Sequence, residues 1–155
     1  MKALTAVALA IALTGCSRGA TTRWIGQARE ANAEADALLL AGSPDKAAQA
    51  LDRARALPPP ASLDAVDRRA VLQDLDARRA LLALDAGSPK LALEIASGGL
   101  ALGEERDVLT AALRILRGRA NEALGHDADA ARDYEAAQAI DEALLDELLR
   151  GQGKP

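Results

Sequence analysis

The chain has 155 residues, of which half are hydrophobic, about a quarter are charged and only 1% are aromatic. Its 19 basic and 23 acidic residues give a net charge of −4, and no basic stripe with interleaved aromatic residues occurs, which argues against nucleic-acid binding. A single cysteine excludes an intramolecular disulfide.

The N-terminus has the pattern of a secretion signal. Lys2 gives a positive start, and residues 3–13 form an uncharged run of Ala, Leu, Val, Ile and one Thr. A membrane-spanning helix needs roughly 20 apolar residues, so this run is too short to span a bilayer. Its length and its flanks are typical of the apolar core of a signal peptide.

The run ends in Leu13-Thr14-Gly15-Cys16, which resembles the lipobox of bacterial lipoproteins. The resemblance implies cleavage after Gly15, so that residues 1–15 form the signal peptide, and lipid attachment to Cys16. Two or more acyl chains hold a protein stably on a membrane. By resemblance to the sorting rule of lipoproteins in enteric bacteria, Ser17 implies the outer membrane, facing the periplasm, where an Asp would imply the inner membrane. The alternative is an ordinary signal peptide with a chance cysteine.

Residues 16–22 are predicted to form a lipidated tether, and 23–150 a single helical domain followed by a flexible tail over 151–155. Without Lys2 the mature part has 18 basic and 23 acidic residues, a net charge of −5. Ala, Leu, Arg and Glu dominate, and these residues favour helix. The predicted fold class is therefore all-α.

Glycine, proline and serine divide the domain into predicted helices. Gly42, Gly87 and Gly125 each stop a helix, because Gly is favoured just beyond a helix C-terminus. Ser43-Pro44 and Ser88-Pro89 start the next helices, with Ser43 as an N-cap and Pro at the first helical position. Ser62 is predicted to cap the third helix. The predicted spans are 22–41, 44–57, 62–86, 89–97 (ended by Gly98-Gly99), 104–124 and 127–149.

The three turn glycines mark three helix–turn–helix pairs at spacings of 45 and 38 residues. Stacked pairs bury a continuous core that one pair cannot bury alone. The last pair resembles the tetratricopeptide repeat, and the first and middle pairs resemble it less fully. The resemblance implies antiparallel pairs stacked as a short right-handed solenoid. Its signature positions are Gly42, Ala47, Leu51, Ala54, Gly87, Ala92, Gly125, Ala130, Tyr134 and Ala137. The alternative is an Ala-rich helical bundle with similar caps.

The same resemblance implies a ligand groove along the first helix of each pair. The matching positions are Arg29, Asn32, Asp36, Arg119 and Glu122. Trp24 is predicted to pack in the core under the first pair, with a membrane or partner contact as the alternative. The charged face of the third helix, with Asp64–Arg68 and Asp74–Arg78 at i,i+4 spacing, is predicted to be solvated, with a docking surface for an acidic partner as the alternative.

Catalytic chemistry has no visible motif. His126, the only histidine, lies in a predicted polar turn, so neither a Cys/His pair nor a zinc cluster can be assembled. Asp127-x-Asp129 lacks the later ligands of a calcium loop and favours a helix N-terminus instead. We expect no enzyme activity, metal, cofactor or small-molecule substrate.

The sequence therefore predicts a lipid-anchored adaptor or assembly factor that binds a protein or peptide in the cell envelope. The alternative is a permanent structural subunit of an envelope complex. An exposed apolar patch on the last helix, around Leu144, Leu145, Leu148 and Leu149, would favour the alternative.

Overall fold

A computed structural model describes the backbone of residues 3–152 and the side chains of residues 19–151. These residues form helices and no strand, which confirms the predicted all-α class. The helices are α1 (Ala3–Leu40), α2 (Pro44–Arg55), α3 (Ala65–Asp85), α4 (Pro89–Leu100), α5 (Val108–Ala123) and α6 (Asp127–Gln152). The chain divides into a first unit, residues 1–71, and a second unit, residues 72–155.

The turns at Gly42, Gly87 and Gly125 share one backbone geometry. The three glycines have φ of 69°, 68° and 76°, a region in which a Cβ is disfavoured. The residue after each glycine donates its N–H to a carbonyl five residues earlier, at 2.8 Å for Ser43 and for Ser88. These bonds define Schellman motifs, which end one helix and let the next begin within two residues.

The helix starts differ from the prediction at two serines. Ser43 has φ −118° and ψ 63° and makes no side-chain capping bond, because this backbone conformation is not the extended one in which an N-cap oxygen meets the helix N–H groups. Asp64, not Ser62, caps α3, since its Oδ1 accepts from Val66 N at 2.8 Å. The Ser62 hydroxyl lies 3.2 Å from that of Thr21.

The predicted break at Gly98-Gly99 is wrong, because α4 continues to Leu100. A Cβ on Gly99 would lie 3.0 Å from the Leu113 side chain, so glycine at this position allows α5 to approach α4 closely. The following helix begins later than predicted. Asp107 caps α5 by accepting from Thr110 N at 2.8 Å, and the helix starts at Val108.

The first and last helices extend beyond their predicted spans. Helix α1 includes residues 16–22, the predicted tether, and α6 includes residues 151 and 152 of the predicted tail. Each stretch contains one glycine but no proline, and a single glycine disfavours a helix much less than a proline does.

In the first unit, α1 and α2 pack as an antiparallel pair. Trp24 is 4% exposed, as predicted for a core residue, and its Nε1 donates to Leu57 O at 3.3 Å across the pair. Ala35, Ala47 and Leu51 are fully buried. The core of this unit is therefore built mainly from alanine, with Trp24, Leu51 and Leu63 as its large members.

In the second unit, α5 packs against both α6 and α4, and the part of α3 that belongs to this unit packs against α4 through Ala80 and Ala83. One core cluster joins Ala80, Ala96 and Leu100 to two leucines of α5, Leu113 and Leu116. Another joins Ala83, Ala92 and Ala120. The leucines of α5 thus fill the space that the small residues of α3 and α4 leave.

Candidate partner-binding cleft

The predicted lipid-attachment residue Cys16 and the cleavage-site residue Gly15 fall within helix α1, but their side chains lie outside the described ones. Among the helices that the structure describes, none combines the length and the apolar character needed to cross a bilayer.

The predicted repeat positions lie between the helices of each pair. Ala47, Ala92 and Ala130 are buried. Leu51 is also buried, and Tyr134 is half-buried. Ala54 and Ala137, which complete the set after the turn glycines, are 5% and 1% exposed. Small residues at these positions allow the two helices of a pair to approach closely.

The last pair contains a size complementarity that the sequence analysis missed. Gly118 on α5 faces Tyr134 on α6, and a Cβ on Gly118 would lie 2.7 Å from the tyrosine ring. Ala35 and Leu51 occupy the equivalent positions in the first pair, counted from the turn glycines. The larger side chain, Tyr134, is thus combined with glycine in the last pair, and the smaller one, Leu51, with alanine in the first.

A buried carboxylate, Asp133, ties α6 to α5. Arg117 donates to both of its oxygens, from Nε at 2.8 Å and from Nη2 at 2.6 Å. Arg114 donates from Nη1 at 2.9 Å and also pairs with Glu104 in the preceding loop. Because the Asp133 side chain is 3% exposed and these partners surround it, the cluster sets the position of α6.

The electrostatics of this cluster favour the charged forms of Asp133 and Arg117. Burial alone would raise the pKa of Asp133, but the hydrogen bonds from Arg117 and Arg114 outweigh burial and lower it. The hydrogen bond to Asp133 raises the pKa of Arg117 further above its ordinary value, against the opposing effect of burial. The two residues therefore form an ion pair that supports the contact between α5 and α6.

Tyr134 connects this support to the surface. Its hydroxyl donates to Glu122 Oε2 at 2.7 Å. Burial, and then the bond to Glu122, raise the pKa of Tyr134 to about 12. The tyrosine is thus held in its neutral form, with one ring face against Gly118 and its polar end on α5.

Beside Tyr134, the surfaces of α5 and α6 form a shallow cleft with an apolar floor. Ile115 and Leu145 are 40% and 57% exposed there. Two carboxylates, Asp141 and Glu142, also line it. Neither makes an ion pair with another described residue, and Glu142 accepts a hydrogen bond from Gln138 Nε2 at 2.8 Å. The lining consists of Ile115, Tyr134, Ala137, Gln138, Asp141, Glu142 and Leu145. This arrangement can bind an apolar surface with positive charges at its edge.

The five predicted groove residues divide between the two units. In the first unit, Arg29 and Asp36 are exposed on α1 and Asn32 is half-buried. In the second unit, Arg119 and Glu122 are exposed on α5. Because Ile115, Arg119 and Glu122 follow an i,i+4,i+7 spacing, they share the α5 face that borders the cleft.

Two polar residues of α3 that the predicted charged face does not include are buried. Gln73 and Asp76 are 0% and 2% exposed. Gln73 Nε2 donates to Gly99 O and Gly103 O, at 3.1 and 2.8 Å, and Arg79 pairs with Asp76 at 2.9 Å. These side chains fasten the loop after α4 to α3.

His126 is exposed in the turn before α6, as predicted, with Nδ1 3.4 Å from Asn121 Oδ1. The described residues contain no group of three or more His, Cys, Asp or Glu side chains placed to hold a metal ion.

In comparisons with known proteins, no protein-family model, curated protein or solved structure matches the chain.

Proposed function

We propose that the protein is a lipid-anchored, non-catalytic adaptor or assembly factor that binds a protein partner in the cell envelope. The observation that carries this proposal is the cleft between α5 and α6, where Ile115 and Leu145 are exposed on a helix pair that the Asp133 ion pairs join. An apolar surface of this kind, rimmed by polar residues, is typical of a protein-interaction site.

The repeat pattern supports the same proposal. We infer that the three pairs stack as a short right-handed tetratricopeptide-like solenoid, because each pair has the same Schellman turn and small residues at equivalent positions. Such folds present extended binding surfaces. The membrane location rests on Leu13-Thr14-Gly15-Cys16 alone, with acyl chains on Cys16 holding the domain at the outer membrane, facing the periplasm.

A second candidate function is that of a permanent structural subunit of an envelope complex. It is favoured by the end of α6, where Leu148 and Leu149 are 65% and 60% exposed and extend the apolar surface beyond the cleft. Obligate interfaces are large and apolar, so a constitutive partner would cover both the cleft and these leucines.

Site-specific photo-crosslinking in intact cells tests the adaptor proposal. A benzophenone amino acid in place of Leu145 should capture envelope proteins, whereas the same label in place of Leu91, similarly exposed on α4, should not. One stoichiometric partner would favour the structural subunit, and several substoichiometric clients the adaptor. Equal capture from both positions, or no capture of any envelope protein, would contradict both functions.

The anchor has its own test. We expect Cys16→Ser to abolish palmitate labelling and processing, and to release the protein from the membrane fraction. The matched control is Ser17→Ala, which keeps the thiol and should remain labelled and membrane-bound. If the Cys16→Ser variant still matures and sediments with membranes, the lipoprotein assignment is wrong.

A further inference from the structure

The α5–α6 surface that forms the cleft has an equivalent surface on the preceding helix pair, α3–α4. There, the chain itself covers the surface with a helix. Counted from the turn glycines, Ile115, Tyr134 and Ala137 of the last pair are equivalent to Ala77, Ala96 and Gly99 of the pair before it. Both sets lie in the second unit, so the two faces can be compared directly.

The earlier face is covered by a helix. Leu113 and Leu116 of α5, one turn apart, pack against Ala96 and Leu100, and the Leu113 methyl groups lie against Gly99. Ala77 packs at the edge of the same cluster. The chain therefore fills this type of face with a helix that presents two leucines at i,i+3 spacing.

The later face differs in charge from the earlier one. Leu100 is replaced by Gln138 at the equivalent position, and Asp141 and Glu142 follow on the next turn of α6. Both carboxylates lack an ion-pair partner among the described side chains, and Glu142 accepts only from the neutral amide of Gln138, at 2.8 Å. A helix packed along this part of α6 would therefore meet their negative charge. A second copy of this acidic surface would bring like charges together.

Resting on the proposed function, we propose that the partner segment is an amphipathic helix with a leucine-type apolar face and flanking Lys or Arg residues. Its apolar side chains pack on Ile115, Tyr134 and Leu145, and its basic residues pair with Asp141 and Glu142. Tyr134 and Leu145 are 11 residues apart on α6, roughly 16 Å at 1.5 Å per residue, so about three turns of the incoming helix are engaged.

The sequence of α5 itself supplies a probe for this proposal. An acetylated peptide of residues 108–123 carries Leu113 and Leu116 together with three arginines and one glutamate. We expect this peptide to bind the full-length chain in phosphatidylcholine nanodiscs, in a manner weakened by salt. Peptides with Leu113 and Leu116 replaced by Ser, or with the three arginines replaced by Glu, should bind at least tenfold more weakly.

Chain variants locate the binding site. Leu145→Glu should weaken binding of the α5 peptide at least tenfold, while Leu91→Glu, with 50% exposure at a distant position of α4, should leave its affinity unchanged. Circular dichroism should show the same helix content in both variants. Because both leucines are already largely exposed, neither change is expected to unfold the domain.

Several outcomes would overturn the proposal: no binding of the wild-type peptide, equal binding by the Leu145→Glu chain, or equal binding of the acidic peptide. A dimer of the full-length chain that Leu145→Glu dissociates would assign the cleft to a second copy instead. Photo-crosslinking from position 145 separates this inference from the proposed function. Captured envelope proteins together with no peptide binding would leave the adaptor role standing and reject the basic helix.

Discussion

The first and the last helix pair place different residues at equivalent positions. The first pair has Ala31 and Ala50, both buried, where the last pair has Arg114 and Asp133, which form an ion pair. Counting from Gly42 and from Gly125 gives this equivalence. The same antiparallel geometry is therefore held by close alanine packing in one pair and by a half-buried ion cluster in the other.

The difference has an energetic consequence. Alanine contacts contribute small increments that are distributed along the helices, whereas a buried carboxylate concentrates its contribution in one residue. Loss of Asp133 would leave Arg117 without its carboxylate partner and Arg114 with Glu104 alone. Single substitutions should thus damage the last pair more than the first.

Replacing Asp133 should give the largest effect. We expect Asp133→Ala to lower the free energy of unfolding by about 3 kcal/mol, because it leaves the partly buried Arg117 guanidinium unpaired and leaves Arg114 with Glu104 alone. Urea denaturation measures the change. The control is Arg53→Ala in the first pair, whose exposed bond to Glu34 should contribute less than about 1 kcal/mol. Equal losses would contradict the comparison.

The Asp133 effect should depend on pH. Its folded pKa lies below the unfolded value, so its contribution to stability is present above the unfolded pKa of about 3.9 and is lost as the pH falls through the folded pKa. The difference between wild type and Asp133→Ala should therefore be constant from pH 5 to 7 and shrink below about pH 4.

Substitutions at Gly118 and Tyr134 should give the next largest change in stability. Gly118→Ala is expected to destabilise the protein by about 1–2 kcal/mol, since the new methyl group would meet the Tyr134 ring. Adding Tyr134→Leu recreates the Ala and Leu combination of the first pair and should recover most of the loss. A double-mutant cycle by urea denaturation should show coupling of about 1 kcal/mol. Simple additivity would mean that the two side chains do not interact.

The helix caps provide a smaller contrast. Asp107→Ala in the second unit should cost about 1 kcal/mol, because the Asp107 carboxylate accepts from Thr110 N at 2.8 Å. Ser43→Ala in the first unit should change stability by less than about 0.5 kcal/mol, since Ser43 makes no capping bond. Thermal unfolding of both variants checks the difference, and a larger loss for Ser43→Ala would reverse it.

The smallest effect concerns Tyr134, the only tyrosine in the chain. Ultraviolet titration should show its pKa at about 12, compared with about 10 for free tyrosine. The Tyr134 contribution to stability is complete below pH 10 and is lost as the pH rises through 12. Glu122→Gln should lower the pKa only in part, because burial is the larger cause. An unshifted pKa in the wild-type protein would contradict the contact with Glu122.

Local backbone chemistry explains which features the sequence predicts well. The turns at Gly42, Gly87 and Gly125 are predictable because only glycine adopts their positive φ without strain. The alternation of Ala- and Leu-rich stretches with Gly and Pro likewise predicts helices and no strands. The α4 extension through Gly98-Gly99 is not predictable locally, because it depends on Leu113 packing against Gly99.

The candidate site is less visible in the sequence. Asp133 has the appearance of a solvated helix residue, and its burial depends on arginines 16 and 19 positions away. Ile115 becomes a candidate only when the last two helix pairs are aligned on their turn glycines. In this alignment Ile115 is equivalent to Ala77, which lies at the edge of the face that α5 covers. The predicted groove residues Arg119 and Glu122 lie near the cleft because they share the α5 face of Ile115.

Trp24 and Tyr134 give each unit its own spectroscopic reporter. Trp24 is the only tryptophan and is buried in the first unit, and the only tyrosine lies in the second. Indole emission during denaturation therefore follows the α1–α2 pair, while phenol absorbance follows the α5–α6 pair. Coincident denaturation curves would identify a single cooperative transition. Separate midpoints would show which helix pair, the alanine-packed or the ion-paired one, is more resistant to denaturation, within one unlabelled sample.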